Sequence, residues 1–544
     1  MSFHFFGNGL LNIESKGIAA PALILAVSSV ASRSLGILRD WLLAQRFGAG
    51  PDLDVYYAAF RAPDFVYNLL VFGGITVAFL PLFSDYFQKS KDEAWRFAAN
   101  LLNIFSFFLI LAGIAGFVFA PALAAVVAPG FSPAQLEQTA ALMRVMFLSP
   151  IIFGAASVFS GILQYFKRFL AYGLAAPLYN LGIIAGIVFL APAMGIMGVA
   201  AGVIAGALAY LLVQIAPAIK SGFVWRPIFD FKDPALARAV ALILPRVAGI
   251  AANQINLIAP VVIASSLAAG SIAVFNLANN IFSLPAGIIG VSYATAAFAL
   301  FSKYAAEGRA ADLAQKFSQT MRQIGFFAMP SAILIFLVRD PLVRFLYQRG
   351  EFTAEAASLT AAVLGIFCLG IYFSSAMPLM FRLFFALRDT LLPTLSTIIA
   401  VAANLAMNVW FVFALRQEFW GDFVRRWFDL PAGDIAVLGL PLAYGLANVL
   451  QFFILWFFLF KKNRALGVSG EIARSLGKTA LAGIFMGIVV YWTIDIIGGI
   501  AGQNNLMVLA LAGTAAVIAY AAAATALKIP EAAMFWRALN VKKQ

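Results

Sequence analysis

Ile104-Phe105-Ser106-Phe107-Phe108-Leu109-Ile110-Leu111-Ala112-Gly113-Ile114-Ala115-Gly116-Phe117-Val118-Phe119-Ala120-Pro121-Ala122-Leu123-Ala124-Ala125-Val126-Val127 carries no charge and a single hydroxyl across 24 residues. As a helix such a run exceeds the ~30 Å hydrocarbon thickness of a bilayer at 1.5 Å per residue. Its apolar residues do not alternate with polar ones, as strands of a transmembrane barrel require. The run Val449 to Phe460 has the same character. Only helices and closed barrels satisfy their own backbone polar groups in lipid, so these runs predict membrane-spanning helices.

The rest of the chain agrees. Hydrophobic residues make up 63% of the 544 positions and charged residues 11%. A soluble domain is nearer one half apolar and one quarter charged. A soluble fold of this length could not hide so much apolar surface. Fourteen apolar spans are expected in an all-α polytopic membrane protein. A tail at 1–17 and a tail at 529–544 flank them.

The net charge of +13 sits mainly in alternate short loops. Lys89, Lys91 and Arg96 form one group, Lys167 and Arg168 the next. Lys220, Arg226, Lys232 and Arg238 follow, then Lys303, Arg309, Lys316 and Arg322, and later Arg388 and Lys461 to Lys478. Intervening loops such as Pro129 to Thr139 are nearly free of positive charge. Positive loops stay in the cytoplasm, which predicts both termini there and an even number of spans. The same charges explain the high pI through anionic lipid headgroups, with no basic domain for nucleic acid. Arg416 to Asp434 departs from the pattern. It is the longest loop, and its Glu418, Asp422, Asp429 and Asp434 read as solvated.

One cysteine, Cys368, and one histidine, His4, leave no disulfide and no Cys/His metal cluster. A single tail histidine also rules out a soluble catalytic triad. A membrane-embedded glycan polymerase would need an acid or base at the outer surface, where Glu418, Asp422, Asp429 and Asp434 lie. A transporter rather than an enzyme is the expectation.

Two six-span halves are suggested by a weak repeat. Phe83-Ser84-Asp85-Tyr86 is echoed by Phe301-Ser302-Lys303-Tyr304, and Phe166-Lys167-Arg168 by Leu387-Arg388-Asp389, at an offset of roughly 220 residues. This predicts lobes at 18–220 and 235–460 related by a pseudo-two-fold axis along the membrane normal. A further helix pair at 475–528 lies outside the repeat. Parallel repeats are a common transporter plan, with the substrate at the repeat interface.

The first span holds the informative charges: Ser32-Arg33-Ser34-Leu35-Gly36-Ile37-Leu38-Arg39-Asp40. Charges at that depth face a cavity or a partner. Arg33 and Asp40, seven apart, share a helix face. Either an Arg33–Asp40 or Arg39–Asp40 pair locks helices together, or the guanidinium groups line a cavity for an anion such as a phosphate. Asp54, Arg61, Asp64 and Asn68 add polarity in the second span. Asn253, Gln254, Asn256, Asn276, Asn279 and Asn280 do so in the seventh and eighth. Asn404 and Asn408 share a face of the eleventh. They either pack helices together or offer two amide oxygens to a sodium ion. Gly182 and Gly186, Gly198, Gly202 and Gly206, and Gly483 and Gly487 recur at four-residue spacing, which permits close helix approach.

The first-span motif resembles the MurJ/MviN family of lipid II flippases. So do Phe47-Gly48-Ala49-Gly50 with Asp54, Ala59-Phe60-Arg61-Ala62-Pro63, and Ala78-Phe79-Leu80-Pro81. Tyr347-Gln348-Arg349-Gly350-Glu351-Phe352-Thr353 and Phe385-Ala386-Leu387-Arg388-Asp389-Thr390 are similar to two further signatures. The resemblance implies fourteen helices around a cationic cavity, with the last two forming a groove for a polyprenyl tail. It implies alternating-access flipping of lipid II in the inner membrane, coupled to sodium or the membrane potential, with no cofactor. A monomer is expected. Arg33, Arg39 and Asp54 match positions the family uses. Asn68 and Asn280 stand where the family usually has arginine, and Phe72 beside Gly73 where it has a glutamate. Those departures keep open the export of another lipid-linked oligosaccharide.

Overall fold

The computed structural model describes residues 19–70, 76–431, 433–462, 469–501 and 504–533. His4 and the Phe72-Gly73 pair lie outside them, as does the side chain of Asn253. The described residues are mostly helical, with no strand among them.

The helices run α1 (Ala19–Phe47), α2 (Pro51–Val66), α3 (Thr76–Lys89), α4 (Lys91–Val118), α5 (Ala120–Val127), α6 (Pro133–Met146), α7 (Leu148–Tyr165), α8 (Phe169–Ala185), α9 (Ala191–Met194), α10 (Ile196–Lys220) and α11 (Pro234–Ala264). They continue as α12 (Ser271–Pro285), α13 (Ser292–Ala306), α14 (Ala310–Leu337), α15 (Arg339–Tyr347), α16 (Ala354–Cys368), α17 (Ile371–Ala386) and α18 (Leu391–Leu415). The last four are α19 (Glu418–Phe428), α20 (Gly439–Lys462), α21 (Ser469–Ala501) and α22 (Asn505–Ala526). Among the described residues, 10 helical stretches are long and apolar enough to cross a membrane. The count is 11 if α16 and α17, bent by 46°, form one span.

Starts follow local chemistry. The Ser90 hydroxyl accepts the Glu93 N–H, Ser132 and Gln135 form a capping box, and Thr353 accepts the Ala356 N–H. Each satisfies an amide that the first turn leaves open. The sides of α4 show where lipid lies. Ala98, Leu101 and Ile104 are buried, while Phe107, Phe108, Ile110, Leu111, Ile114 and Phe117 are exposed. Exposure to water would cost ~1.5–3 kcal/mol for each large side chain, a penalty lipid removes.

The chain divides into two compact units, Met1–Ile272 and Ala273–Gln544. The division falls after α11, whose helix packs with α2, α3 and α5 of the first unit.

Several of the sequence echoes coincide with similar backbone irregularities. Lys167 and Arg388 both take left-handed φ, 55° and 59°. The same closing bonds surround them: Arg168 N–H to Leu163 O at 2.8 Å and Asp389 N–H to Phe384 O at 2.9 Å. These are helix-terminating turns that leave few carbonyls unsatisfied. The breaks at Phe119 and Val338 share φ/ψ of −88°/7° and −93°/10°. Wide π-turns occupy residues 67–70 and Ala286–Val291, and a third, Gly186–Leu190, has no counterpart at that offset. The echoed Phe83 and Phe301 are both fully buried.

The loop after α10 is sewn to α4 by two amides. Asn103 Nδ2 donates to Arg226 O at 2.7 Å and Ile228 O at 2.9 Å, and its Oδ1 accepts Trp225 Nε1 at 2.9 Å. Asn100 donates to Asp230 O and accepts the Asp230 N–H. The Arg226 guanidinium meets Asp92 at 2.6 Å, and that bond raises its pKa further. Asn103→Ala leaves two part-buried carbonyls and the Trp225 indole N–H without their partner. It should cost about 2 kcal/mol, seen as a lower unfolding midpoint in detergent together with new protease cleavage between 223 and 233.

In the segment Arg416 to Asp434 the four carboxylates Glu418, Asp422, Asp429 and Asp434 are exposed, as expected, but the segment is not simply a loop. It holds α19, whose Phe419, Trp420, Phe423 and Trp427 recur on one side of the helix. Its charges are largely used internally. Arg425 bonds Asp422 at 2.7 Å and Gly433 O at 2.9 Å, and Arg416 approaches Asp434 at 3.9 Å.

Candidate substrate site

α1 stays helical through its polar motif because α8 lies along it and supplies polar partners. Arg39 and Asp40 are adjacent in sequence and roughly 100° apart on an ideal helix. The long arginine stem closes that angle. Arg39 Nε and Nη2 both donate to Asp40 Oδ1, at 2.9 and 2.7 Å. Arg39 Nη1 donates to Asn180 Oδ1 at 3.2 Å. Asn180 in turn donates to the carbonyl and the hydroxyl of Ser32, each at 3.2 Å. Asp40 is buried and Arg39 partly so. Of the two pairings open from the sequence, the structure forms Arg39–Asp40.

Arg33 is exposed and forms no hydrogen bond or ion pair among the described residues. Arg33 and Arg39 therefore differ. One is fixed by a carboxylate and an amide. The other is open to a ligand.

α2 carries Arg61 and Asp64 one turn apart, and Asn68 lies just beyond it. The Asn68 amide donates to the carbonyl of Asp64 at 2.8 Å, folding back on its own helix. Asp54, 2% exposed, accepts the Gly270 N–H at 2.6 Å. Gly270 has φ +89°, and a Cβ there would collide with the Ala49 carbonyl, so the turn requires glycine. Asp54 is thus committed to a backbone amide at a tight turn.

Asn280, Asn404 and Asn408 belong to the second unit. Asn404 and Asn408 are both buried, and Asn408 Nδ2 donates to Asn404 Oδ1 at 3.2 Å. Among the described residues no group of three or more His, Cys, Asp or Glu side chains gathers to hold a metal.

Sequence reasoning did not single out the residues around Arg39. Asn180 is one. A ring cluster was missed as well: Phe153 sits 5.2 Å, centroid to centroid, from each of Tyr67, Tyr179 and Tyr210. Gln214, fully buried, accepts the Ser160 hydroxyl at 2.7 Å. The available signal was the placement of tyrosine, asparagine and glutamine within apolar spans, where polar atoms need partners. Their identities do not reveal which partners.

In the second unit an apolar cleft of about 240 Å³ lies between α14, α21 and α22. Phe326, Pro330, Leu334, Met486, Ala516 and Tyr520 are among the residues lining it. The Tyr520 hydroxyl is satisfied by Phe326 O at 2.7 Å, so the ring presents its apolar face.

Residues 43–510 match the family described as Lipid II flippase MurJ. The chain belongs to the MurJ family. Relatives named probable lipid II flippase MurJ include one from Buchnera aphidicola, 28% identical over 398 residues, covering 72% of this chain and 78% of that protein. Another, from Haemophilus influenzae, is 27% identical over 500 residues, covering 88% and 92%. A solved structure of lipid II flippase MurJ in an inward closed conformation superposes with a TM-score of 0.75. It is 22% identical and covers 95% of this chain and 99% of that one. An inward-facing MATE transporter of the MOP superfamily gives 0.61 at 14% identity, covering 80% and 96%. The fold is that of MurJ and its transporter superfamily. As a MurJ family member the chain is a multi-pass inner-membrane transporter and not an enzyme.

Proposed function

We propose that the chain carries lipid II from the cytoplasmic to the outer leaflet by alternating access, its diphosphate met by Arg33 and oriented beside Arg39. The observation that supports this most is Arg33. It is an exposed guanidinium within an apolar helix, without a carboxylate partner among the described residues. Such a charge is tolerated where water or an anion reaches it. A guanidinium matches phosphate oxygens two at a time. Arg39, held by Asp40 and Asn180, supplies a second charge whose geometry is set in advance.

Fourteen spans fit this reading. α1, the pair α2 and α3, and α11 would bring the eleven apolar spans to that number. The basic loops favour cytoplasmic termini. Two six-helix lobes with α21 and α22 as an addition agree with the paired backbone irregularities. The cleft between α14, α21 and α22 suits the polyprenyl tail. Arg61, Asn68, Asn280 and the Phe153 tyrosine cluster are candidates for the sugar and peptide portions. Asp54 would hold a turn at the outer end. Sodium at Asn404 and Asn408 would have to displace the bond between the two amides.

The test is rescue of cells depleted of their own lipid II flippase. The intact chain should restore growth and Arg33→Gln should not, at equal membrane abundance. Full rescue by Arg33→Gln would overturn the role of the guanidinium. Failure of the intact chain, present in the membrane, would point to another lipid-linked saccharide.

A further inference from the structure

α19 has an apolar side that nothing in the second unit covers. Phe419 is 75% exposed, Trp420 54%, Phe423 57% and Trp427 69%. The opposite side is polar or small: Glu418, Asp422, Arg425 and the buried Gly421. An aromatic face this open is costly in water.

The helix is held firmly where it is. Only Arg416 and Gln417 separate it from the end of α18. A Cβ at Gly421 would come within 2.9 Å of Leu415 O, so α19 turns sharply against the end of that span. At its other end, Phe428 stacks under Arg339, whose guanidinium lies 5.4 Å from that ring and 4.5 Å from Phe336. Arg339 begins α15 immediately after α14 ends, so both anchors of α19 sit at the ends of long apolar helices. That is the level of a bilayer surface.

Three observations identify what covers the face. It continues the exposed apolar end of α18, where Val409, Trp410 and Phe413 are open. Its composition is the tryptophan and phenylalanine mix that sits at the headgroup boundary. Exposed Arg426 borders the aromatic side, whereas Arg416 and Arg425 are spent on Asp434 and Asp422. A side chain there can reach lipid phosphates while its stem lies along the apolar face.

We infer that α19 is an interfacial anchor that lies flat on the outer leaflet, its four aromatic side chains inserted at the headgroup–acyl boundary and Arg426 among the phosphates. Its arginines weigh little against the orientation set by the other loops, because charge bias counts least in a long loop.

The test uses the full chain with Cys368→Ala, reconstituted in phosphatidylethanolamine–phosphatidylglycerol vesicles. Single cysteines at Phe423 and Trp427 are spin-labelled, with Glu418 and Phe413 as water and lipid references. The ratio of oxygen to nickel-chelate collisions at 423 and 427 should exceed that at 418 several-fold and approach that at 413. A ratio equal to that at 418 overturns the proposal, as does suppression of both collision rates, which signals protein cover. A second measurement leaves the chain unlabelled. Quenching of tryptophan emission by bilayer lipids brominated near the headgroup should fall in the W420F/W427F variant. Unchanged quenching contradicts the insertion.

Discussion

Replacing Arg39 with alanine should abolish rescue of flippase-depleted cells and also lower the unfolding midpoint of the purified chain. The two effects have separate origins. Two guanidinium nitrogens reach one oxygen of buried Asp40, and a third nitrogen reaches Asn180. Removing the cation leaves a carboxylate in a poorly solvated place, which costs roughly 3–5 kcal/mol. Removing both charges, in Arg39→Ala/Asp40→Ala, should return most of that stability, because no unpaired ion remains. Transport should stay lost, because no positive charge is left to orient the diphosphate beside Arg33. Arg39→Lys keeps the charge and loses the fork, so it should rescue weakly. Wild-type growth from the double variant would show that Arg39 serves the fold alone.

Gly186→Val should strongly destabilise the first unit. Gly182 of α8 and Gly186, the residue that follows that helix, lie directly on α10 at Gly202 and Gly206. A Cβ at Gly186 would stand 2.6 Å from Gly202 Cα and 2.8 Å from Gly198 O. Both obstacles are backbone, so no rotamer change relieves them and the helices must separate along the seam. Overpacking against side chains costs ~1–3 kcal/mol, and against backbone it should reach or pass the top of that range. Thermal unfolding in detergent measures it. Gly477→Val, at a position with nothing within 4 Å, is the control and should change little.

Much of this arrangement was legible in the sequence, and the boundary of legibility is physical. Apolar runs and basic loops define spans because they depend on composition within a short window. The glycine spacing at 182, 186, 198, 202 and 206 anticipated the seam, since period and residue size together admit little else. The pairing of Asp40 was harder. Helix geometry favours Arg33 seven residues away, yet a flexible arginine stem lets the adjacent Arg39 reach it first. Asn180 was out of reach, because its partner lies 141 residues away and amides carry no periodic signature. α19 was overlooked for the opposite reason. Its aromatic spacing at 419, 420, 423 and 427 was present, but the acidic and basic residues between them made the segment read as a solvated loop.

The π-turns at 67–70 and Ala286–Val291 also bear on the history of the chain. Such a turn amounts to one surplus residue in an α-helix, and everything downstream is rotated by about 100°. Acquired independently, a dislocation of this kind would have to arise at matching depth in two helices and be tolerated by two sets of neighbours. Both begin 219 residues apart, the same displacement that separates Phe119 from Val338. These four positions match what two copies of one half would share, whereas the π-turn at Gly186–Leu190 has no partner, since residues 405–409 are regular α-helix.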